Sequence, residues 1–199
     1  MKGFVSTKRK VLHRLGRSDN SRKGEVDEQA WPFIKTINAL DEYYTTSSCA
    51  GRINVFKEPV SGKKHDAEWL FVTHDVAHAK DVLQVLQGIP QETLWLRMEP
   101  PIFHVACKDQ AAAEWLLRVC QGEGWKRSGI ISVGAKDKER VMIEIVGNER
   151  VDTPLSSGGK LLFDEQYIKF LVMKANEKLL LSREKMEALR LAIGGSEKE

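Results

Sequence analysis

The sequence predicts an α/β protein with α+β character, in which a mixed β-sheet is flanked by helices and a long helix ends the chain. Short runs of β-branched and aromatic residues alternate with stretches of helical periodicity, which favours a sheet covered by helices. The runs 130–133 and 141–146 flank a polar turn at 135–139, which predicts an antiparallel hairpin within that sheet. Apolar residues at steps of four and three through 164–193 predict the long helix.

The composition is that of one globular domain over residues 1–199. With 42% hydrophobic and 30% charged residues, the chain is outside the range of disordered or collagen-like sequences. No apolar run approaches the ~20 residues that cross a bilayer, which excludes a membrane-spanning helix. The three cysteines show no C-x-x-C spacing, so we expect no disulfide framework and no metal site. A reducing compartment, the cytoplasm, fits best.

The first 18 residues are predicted to form a helix. This helix is basic, because six basic residues and no acidic residue fall within it. Such a patch attracts phosphate groups. Two other interpretations stay open for residues 1–18: an organelle transit peptide, and a solvated helix whose apolar residues pack inward.

In the first half of the chain, Asp27 is expected to cap a helix with one apolar face. Strands are predicted at 43–46 and 53–56, with a tight connection at 47–52, and at 69–73, ending in His74.

Next, Asp75 is expected to cap a helix through Gln87, and Asp109 a helix to Gln121, with strands at 93–98 and 102–107 between them. Residues 155–160 are predicted to form a flexible joint. Asp164 caps the long helix, whose apolar seam either docks on the sheet or pairs in a coiled coil. The members of the seam are Ile168, Val172, Ala175, Leu179, Ser182, Met186, Leu189 and Ile193.

The segment 45–52 carries the most distinctive chemistry: four hydroxyls and a thiol, then Gly51 and Arg52. A glycine permits positive φ, backbone N–H groups of a small-residue turn approach anions closely, and a guanidinium matches carboxylate or phosphate oxygens. The alternative is a hydrogen-bonded turn with Arg52 in a surface ion pair.

Cys49 could act as a nucleophile with His74 or His104 as its base, but no nucleophile elbow or cysteine-protease signature accompanies it. A spectator thiol is the better interpretation. Neither G-x-G-x-x-G after a strand nor G-x-x-x-x-G-K-[ST] occurs, so ordinary dinucleotide and nucleoside-triphosphate sites have no support.

Several strings resemble, in order and spacing, the tRNA wybutosine-synthesizing protein 3 family, over nearly the whole chain. They are Asp19-x-Ser21-x-Lys23-Gly24-x-Val26-Asp27, Tyr44-Thr45-Thr46-Ser47-Ser48-Cys49-x-Gly51-Arg52, Trp69-Leu70-Phe71-Val72-Thr73-His74, Glu99-Pro100, Phe103-His104-Val105, Gly124-Trp125-Lys126-x-Ser128-Gly129-Ile130, Pro154-Leu155-Ser156, Gly159-Lys160-Leu161 and Glu165-x-Tyr167-Ile168.

The resemblance implies an enzyme that uses S-adenosylmethionine to methylate ring nitrogen N4 of a wyosine-type guanosine next to the anticodon of phenylalanine tRNA. That base already bears an aminocarboxypropyl chain. The implied fold is an unusual α/β arrangement and not the Rossmann-like methyltransferase, which accounts for the missing glycine motif.

The resemblance also suggests roles. His74 is the first candidate to accept the proton from the ring nitrogen, and Asp27 is the second. Arg52, with its neighbours, suits a carboxylate of either the methyl donor or the aminocarboxypropyl chain. The residues assigned to the donor are Ser47, Ser48, Gly51, Arg52 and His104, and those assigned to the phosphates of the anticodon arm are Lys8, Arg9, Lys10, Ser21, Arg22 and Lys23.

Trp69 or Tyr44 could stack on the tricyclic base, although both more often belong to a core. Two other classes of function stay open: a tRNA-binding protein without activity, and an acyl-transfer or hydrolytic enzyme that depends on Cys49.

Overall fold

The computed structural model describes residues 2–15, 26–60, 62, 66–134 and 140–195. The expectations for Ser21, Arg22 and Lys23 and for the turn 135–139 lie outside these residues. In the described part, the helices are α1 (Lys2–Arg14), α2 (Trp31–Ala39), α3 (Ala79–Val85), α4 (Gln110–Gly122) and α5 (Glu165–Gly195), with a 3-10 turn at Glu28–Ala30 before α2. The strands in the same part are β1 (Tyr43–Cys49), β2 (Arg52–Lys57), β3 (Glu68–Thr73), β4 (Leu94–Glu99), β5 (Ile102–Cys107), β6 (Gly129–Val133), β7 (Val141–Val146), β8 (Val151–Ser157) and β9 (Lys160–Leu161).

The chain divides into two compact units. The first unit takes the described residues within 1–50, 101–148 and 183–199, and the second takes those within 51–100 and 149–182. Each unit has its own antiparallel sheet and its own hydrophobic core. That the whole chain acts as one domain stays a prediction.

The first unit holds the sheet β1-β5-β7-β6. The hairpin of β6 and β7 is confirmed, with Ile130 opposite Ile143. Apolar residues of α2, α4 and the end of α5 share one core with this sheet, in which the rings of Phe33 and Phe103 lie 4.2 Å apart.

Helix α4 begins and ends as its sequence predicts. The Asp109 carboxylate accepts the N–H of Ala112 at 2.9 Å, which satisfies a donor in the first turn. At the other end, Gly124 has a φ of +83°, and the N–H of Trp125 donates to the carbonyl of Cys120 at 2.8 Å. This glycine-dependent closure satisfies carbonyls that the last turn leaves open.

The second unit holds the sheet β3-β2-β4-β8-β9. One face of this sheet and the first part of α5 form a single core, which contains Ile53 and Leu96 from the strands and Val172 and Leu179 from the helix. The seam residues of α5 are buried by the chain itself, so docking is confirmed over a coiled coil.

The α+β class is confirmed, but the strands form two sheets in place of one mixed sheet, and every pairing between described strands is antiparallel. The reason lies in the strands themselves: β4 and β7 alternate buried and half-buried residues. Such one-sided burial is typical of antiparallel sheets, whereas parallel strands are buried on both faces.

Two segments expected to be loops are largely strands. Residues 47–49 extend β1, and Arg52 begins β2, so only Ala50 and Gly51 separate the two strands. The joint expected at 155–160 is the end of β8 followed by a turn at Gly158 and Gly159, which have φ of +56° and +73°. Two successive positive φ values suit a two-residue hairpin turn, which is why β9 pairs with β8.

Of the remaining expected caps, Asp164 is confirmed, since its carboxylate accepts the N–H of Tyr167 at 2.8 Å. Asp75 does not start a helix; α3 begins at Ala79. The side-chain amide of Asn176 bonds both the N–H and the carbonyl of Ala77, at 2.8 and 2.9 Å, and so holds that backbone outside the helix.

No helix among the described residues is long and apolar enough to cross a membrane.

Candidate functional site

In the first unit, Asp27 secures the end of β1. It is 5% exposed, and its carboxylate accepts the N–H of Ala50 at 2.9 Å. The expected helix cap is therefore wrong: Asp27 makes no side-chain capping bond, because its carboxylate is directed to the backbone that follows Cys49. This bond fixes the segment where β1 ends and the chain continues towards Arg52.

Next to this segment, Ser47, His104 and Glu144 form a hydrogen-bonded row across β1, β5 and β7. The Ser47 Oγ lies 2.8 Å from His104 Nδ1, and His104 Nε2 lies 3.1 Å from Glu144 Oε2. A carboxylate only accepts hydrogen bonds, so with Glu144 ionised the neutral His104 ring carries its proton on Nε2, and Nδ1 accepts from the Ser47 hydroxyl. This row is a chain of groups able to hold and pass a proton.

A β-bulge produces the row. The register of β1 against β5 shifts between Thr45 and Ser47, which places Ser47 directly opposite His104. Thr46 is the extra residue, and its hydroxyl donates to the His104 carbonyl at 3.2 Å. Bulges change the direction of side chains at functional edges of sheets. Sequence reasoning missed Glu144, because only the observed pairing of β5 with β7 places this carboxylate opposite His104.

The two remaining residues of this strand end, Ser48 and Cys49, are half-buried. Cys49 is a free thiol, as are the buried Cys107 and Cys120. Both ring nitrogens of His104 already bond Ser47 and Glu144, so His104 does not serve Cys49 as a base.

In the second unit, Arg52 follows Gly51, whose φ of +86° lies in the region that favours glycine. The Arg52 Nε donates to the Glu99 carboxylate across the β2–β4 pairing, and the guanidinium carbon lies 4.1 Å from the ring centre of Trp69. The ion pair of Arg52 that the alternative interpretation held is thus present. Glu99 and Trp69 are partners that single-residue reasoning did not assign.

His74, also in the second unit, is half-buried and follows the end of β3, as predicted. Its role as proton acceptor stays a prediction, as does that of Asp27.

The candidate stacking residues differ from each other. Tyr44 is fully buried, 5.1 Å from the ring of Phe4, and its hydroxyl accepts a hydrogen bond from Arg140 Nη1 at 2.8 Å. It belongs to the interior, as the alternative interpretation held. Trp69 is partly exposed and supports Arg52, so its ring positions a charged group.

On α1, the three basic residues expected to face RNA divide into two groups. Lys8 is half-buried, and its amino group donates to the carbonyl of Leu40 at 2.6 Å. Burial is the main cause that lowers the pKa of Lys8, while nearby Asp41 raises it. Arg9 and Lys10 are exposed. Only these two are placed for contacts with a large anionic partner.

Comparisons with known proteins identify a matching family and similar chains. The family model described as Methyltransferase TYW3 matches residues 6–194. A protein of Methanocaldococcus jannaschii, named tRNA(Phe) 7-((3-amino-3-carboxypropyl)-4-demethylwyosine(37)-N(4))-methyltransferase, is 36% identical over 183 residues, or 92% of each chain. A Pyrococcus furiosus protein, whose name is the same but ends in the number 1, is 38% identical over 168 residues, or 84% of each chain. The solved structure of the PH1069 protein from Pyrococcus horikoshii superposes with a TM-score of 0.85 at 33% identity and covers 96% of each chain.

Proposed function

The chain belongs to the tRNA wybutosine-synthesizing protein 3 family, and we propose that it transfers a methyl group to N4 of 7-(3-amino-3-carboxypropyl)-4-demethylwyosine at position 37 of phenylalanine tRNA. The observation that carries the proposal is the similarity to a relative named for this reaction over 92% of both chains. The chain is accordingly a tRNA methyltransferase. Its location in the cytoplasm stays a prediction.

The reaction needs a methyl donor, for which we propose S-adenosylmethionine. Of the residues assigned to this donor, Ser47, Ser48 and His104 lie in the first unit, and Gly51 and Arg52 in the second. Arg52 supports the assignment because its planar guanidinium matches a carboxylate, and the donor carries one. Positioning is the main demand of such a transfer, and good geometry lowers the barrier by up to about 7–11 kcal/mol.

N4 forms a bond to the methyl carbon as the bond from that carbon to sulfur breaks, and the proton on N4 must leave. His74 is the proposed acceptor, with Asp27 second. The row of Ser47, His104 and Glu144 is a third candidate: His104 Nδ1 receives the Ser47 proton while Ser47 takes one from N4, and Glu144 stabilises the charged ring.

For the RNA, we propose that Arg9 and Lys10 contact phosphates of the anticodon arm, together with Ser21, Arg22 and Lys23. Such contacts position the RNA, and discrimination comes from the tricyclic base.

The test is methyl transfer from labelled S-adenosylmethionine to phenylalanine tRNA that carries the demethylated base. We expect a nucleoside heavier by one methyl group in mass spectrometry of the digested tRNA. The matched control is phenylalanine tRNA with unmodified guanosine at position 37, which should stay unlabelled.

Failure of purified protein to methylate the modified tRNA, under conditions in which a relative does so, would overturn the proposal. Binding of tRNA without affinity for S-adenosylmethionine in calorimetry would favour the non-catalytic tRNA-binding protein.

A further inference from the structure

On the sheet of the second unit, the face opposite the core carries charged and aromatic residues. Ile53 and Val55 of β2 belong to the core, and because side chains alternate along a strand, Arg52 and Asn54 face the other way. Glu99 lies opposite Arg52, on the same outer face.

Arg52 and Glu99 are held as a pair but keep binding capacity. Their side chains are 26% and 32% exposed, respectively. Only Nε of Arg52 donates to Glu99, and no further hydrogen bond links Arg52 to another described residue. Trp69 supports the flat side of the guanidinium, which leaves its Nη edge for a ligand.

Asn54 adds a donor without an acceptor. It is 2% exposed, and its Nδ2 has no hydrogen-bond partner among the described residues. A buried amide normally finds a partner, and leaving it unpaired lowers stability. Asn54 is the next residue after Arg52 on this face of β2, so a carboxylate held by Arg52 lies within the same row of side chains.

A second ion pair on this face differs from that of Arg52 and Glu99, because its carboxylate already has two guanidinium partners. Arg97 Nε donates to Asp152 at 2.7 Å, and Arg150 donates to the other oxygen of the same carboxylate at 2.8 Å. Asp152 therefore already serves two guanidinium groups, whereas Arg52 is the one cation paired with Glu99 among the described residues.

We propose that Arg52, Asn54 and Glu99 bind the α-amino-acid end of a ligand. Its carboxylate bonds the guanidinium edge of Arg52 and the Asn54 amide, and its ammonium bonds the Glu99 carboxylate. A phosphate or simple carboxylate is disfavoured here because Glu99 repels an anion, whereas a zwitterion satisfies both charges.

This inference rests on the proposed function, in which two groups have the required chemistry. One is the amino-acid end of S-adenosylmethionine, and the other is the 3-amino-3-carboxypropyl chain of the base named in the relatives. Both present the same carboxylate and ammonium, so the site fits either, and an experiment separates them.

The experiment measures binding by calorimetry for the wild type, Glu99→Gln, Arg52→Lys and Asn54→Leu. The ligands are S-adenosylhomocysteine, 5′-methylthioadenosine, which lacks the amino-acid end, and phenylalanine tRNA with and without the aminocarboxypropyl chain. Asp152→Asn is the matched control, since it alters an ion pair on the same face. Thermal unfolding checks that each variant is folded.

If the donor occupies the site, Glu99→Gln and Arg52→Lys weaken S-adenosylhomocysteine binding about tenfold or more. Glu99→Gln removes the charged partner of the ammonium, and Arg52→Lys removes the planar guanidinium that matches the carboxylate. Binding of 5′-methylthioadenosine stays unchanged. If the side chain of the base occupies it, the same variants lower affinity for tRNA with the chain to that for tRNA without it. Asn54→Leu weakens the binding of the same ligand, and Asp152→Asn leaves its affinity unchanged.

The inference is overturned if Glu99→Gln and Arg52→Lys bind both S-adenosylhomocysteine and tRNA with the chain as tightly as the wild type does. It is also overturned if these variants weaken the binding of ligands with and without the amino-acid end equally. Methyl transfer by the wild type is measured alongside. An active wild type with unaffected variants rejects this site alone, whereas an inactive wild type that binds neither donor nor tRNA rejects the proposed function with it.

Discussion

At the scale of single residues, the row of Ser47, His104 and Glu144 competes with His74 for the role of proton acceptor. If the row accepts the proton, His104→Ala lowers kcat by about 10²–10⁴-fold, the usual contribution of a general base. Glu144→Gln then lowers kcat less, because the ring keeps its place but loses the charge that stabilises it.

His74→Ala is the comparison, since each variant removes one half-buried imidazole. Single-turnover rates at saturating donor and tRNA provide the measurement. A large loss for His74→Ala together with wild-type rates for His104→Ala and Glu144→Gln would assign the proton to His74.

Cys49 provides a second prediction at this scale. Because no nucleophile elbow or cysteine-protease signature accompanies Cys49, and both ring nitrogens of His104 bond other groups, we expect Cys49→Ala to keep methyl transfer within about threefold of the wild-type kcat. The measurement is initial rate with labelled donor. Complete loss of activity in a variant that unfolds at the wild-type temperature would instead support a covalent role for this thiol.

At the scale of elements, α1 combines structural and electrostatic roles. Replacing Arg9 and Lys10 by Gln should make the plot of log affinity for tRNA against log salt less steep by about 1.4–1.8, because each phosphate contact contributes about 0.7–0.9. Filter binding at several salt concentrations measures this slope.

Lys8→Gln is the matched control, since Lys8 donates to the Leu40 carbonyl. It should affect thermal stability more than the slope. A salt dependence that is the same in the Arg9 and Lys10 double variant and in the wild type would exclude α1 from the RNA interface.

Helix α5 allows a test of its seam with neighbouring leucines. Leu179 is fully buried and Leu180 is 47% exposed. Leu179→Ala should lower the free energy of unfolding by about 2–5 kcal/mol, from lost burial and a new cavity. Leu180→Ala should change it by no more than about 0.5 kcal/mol.

Urea unfolding followed by circular dichroism compares the two variants. Equal effects would mean that α5 does not bury its seam in the protein as it exists in solution.

At the scale of the whole molecule, stability should fall in alkali. Burial raises the pKa of the Cys107 thiol from 9.0 to about 12, and burial also raises the pKa of Cys120 from 9.0 to about 12. The folded chain thus keeps protons that the unfolded chain loses. This stabilisation is complete below pH 9 and is lost as the pH rises towards 12.

At pH 10, each thiol should have lost about 1 kcal/mol of stabilisation. Urea unfolding of the wild type and of Cys120→Ala between pH 8 and pH 10.5 measures the effect. Because the variant lacks one such thiol, its stability should fall less steeply with pH. Parallel curves would show that the Cys120 thiol does not contribute.

The sequence predicted most elements of this protein, because their signals are local. Alternation along β7, the Asp109 cap of α4 and the seam of α5 need only near neighbours to be read. The strings from Tyr44 to Arg52 and from Trp69 to His74 likewise led to the family, since they depend on residue order alone.

Only the tertiary structure decided which side chains meet. Asp27 has the sequence of a helix cap, but its carboxylate bonds Ala50, and Glu99 and Glu144 became candidate site residues only once strand pairing placed them beside Arg52 and His104. These partners lie 23 to 47 residues apart in the chain. Their contact depends on strand register and on a bulge of one residue, which are set by the packing of whole sheets and leave no local signal in the sequence.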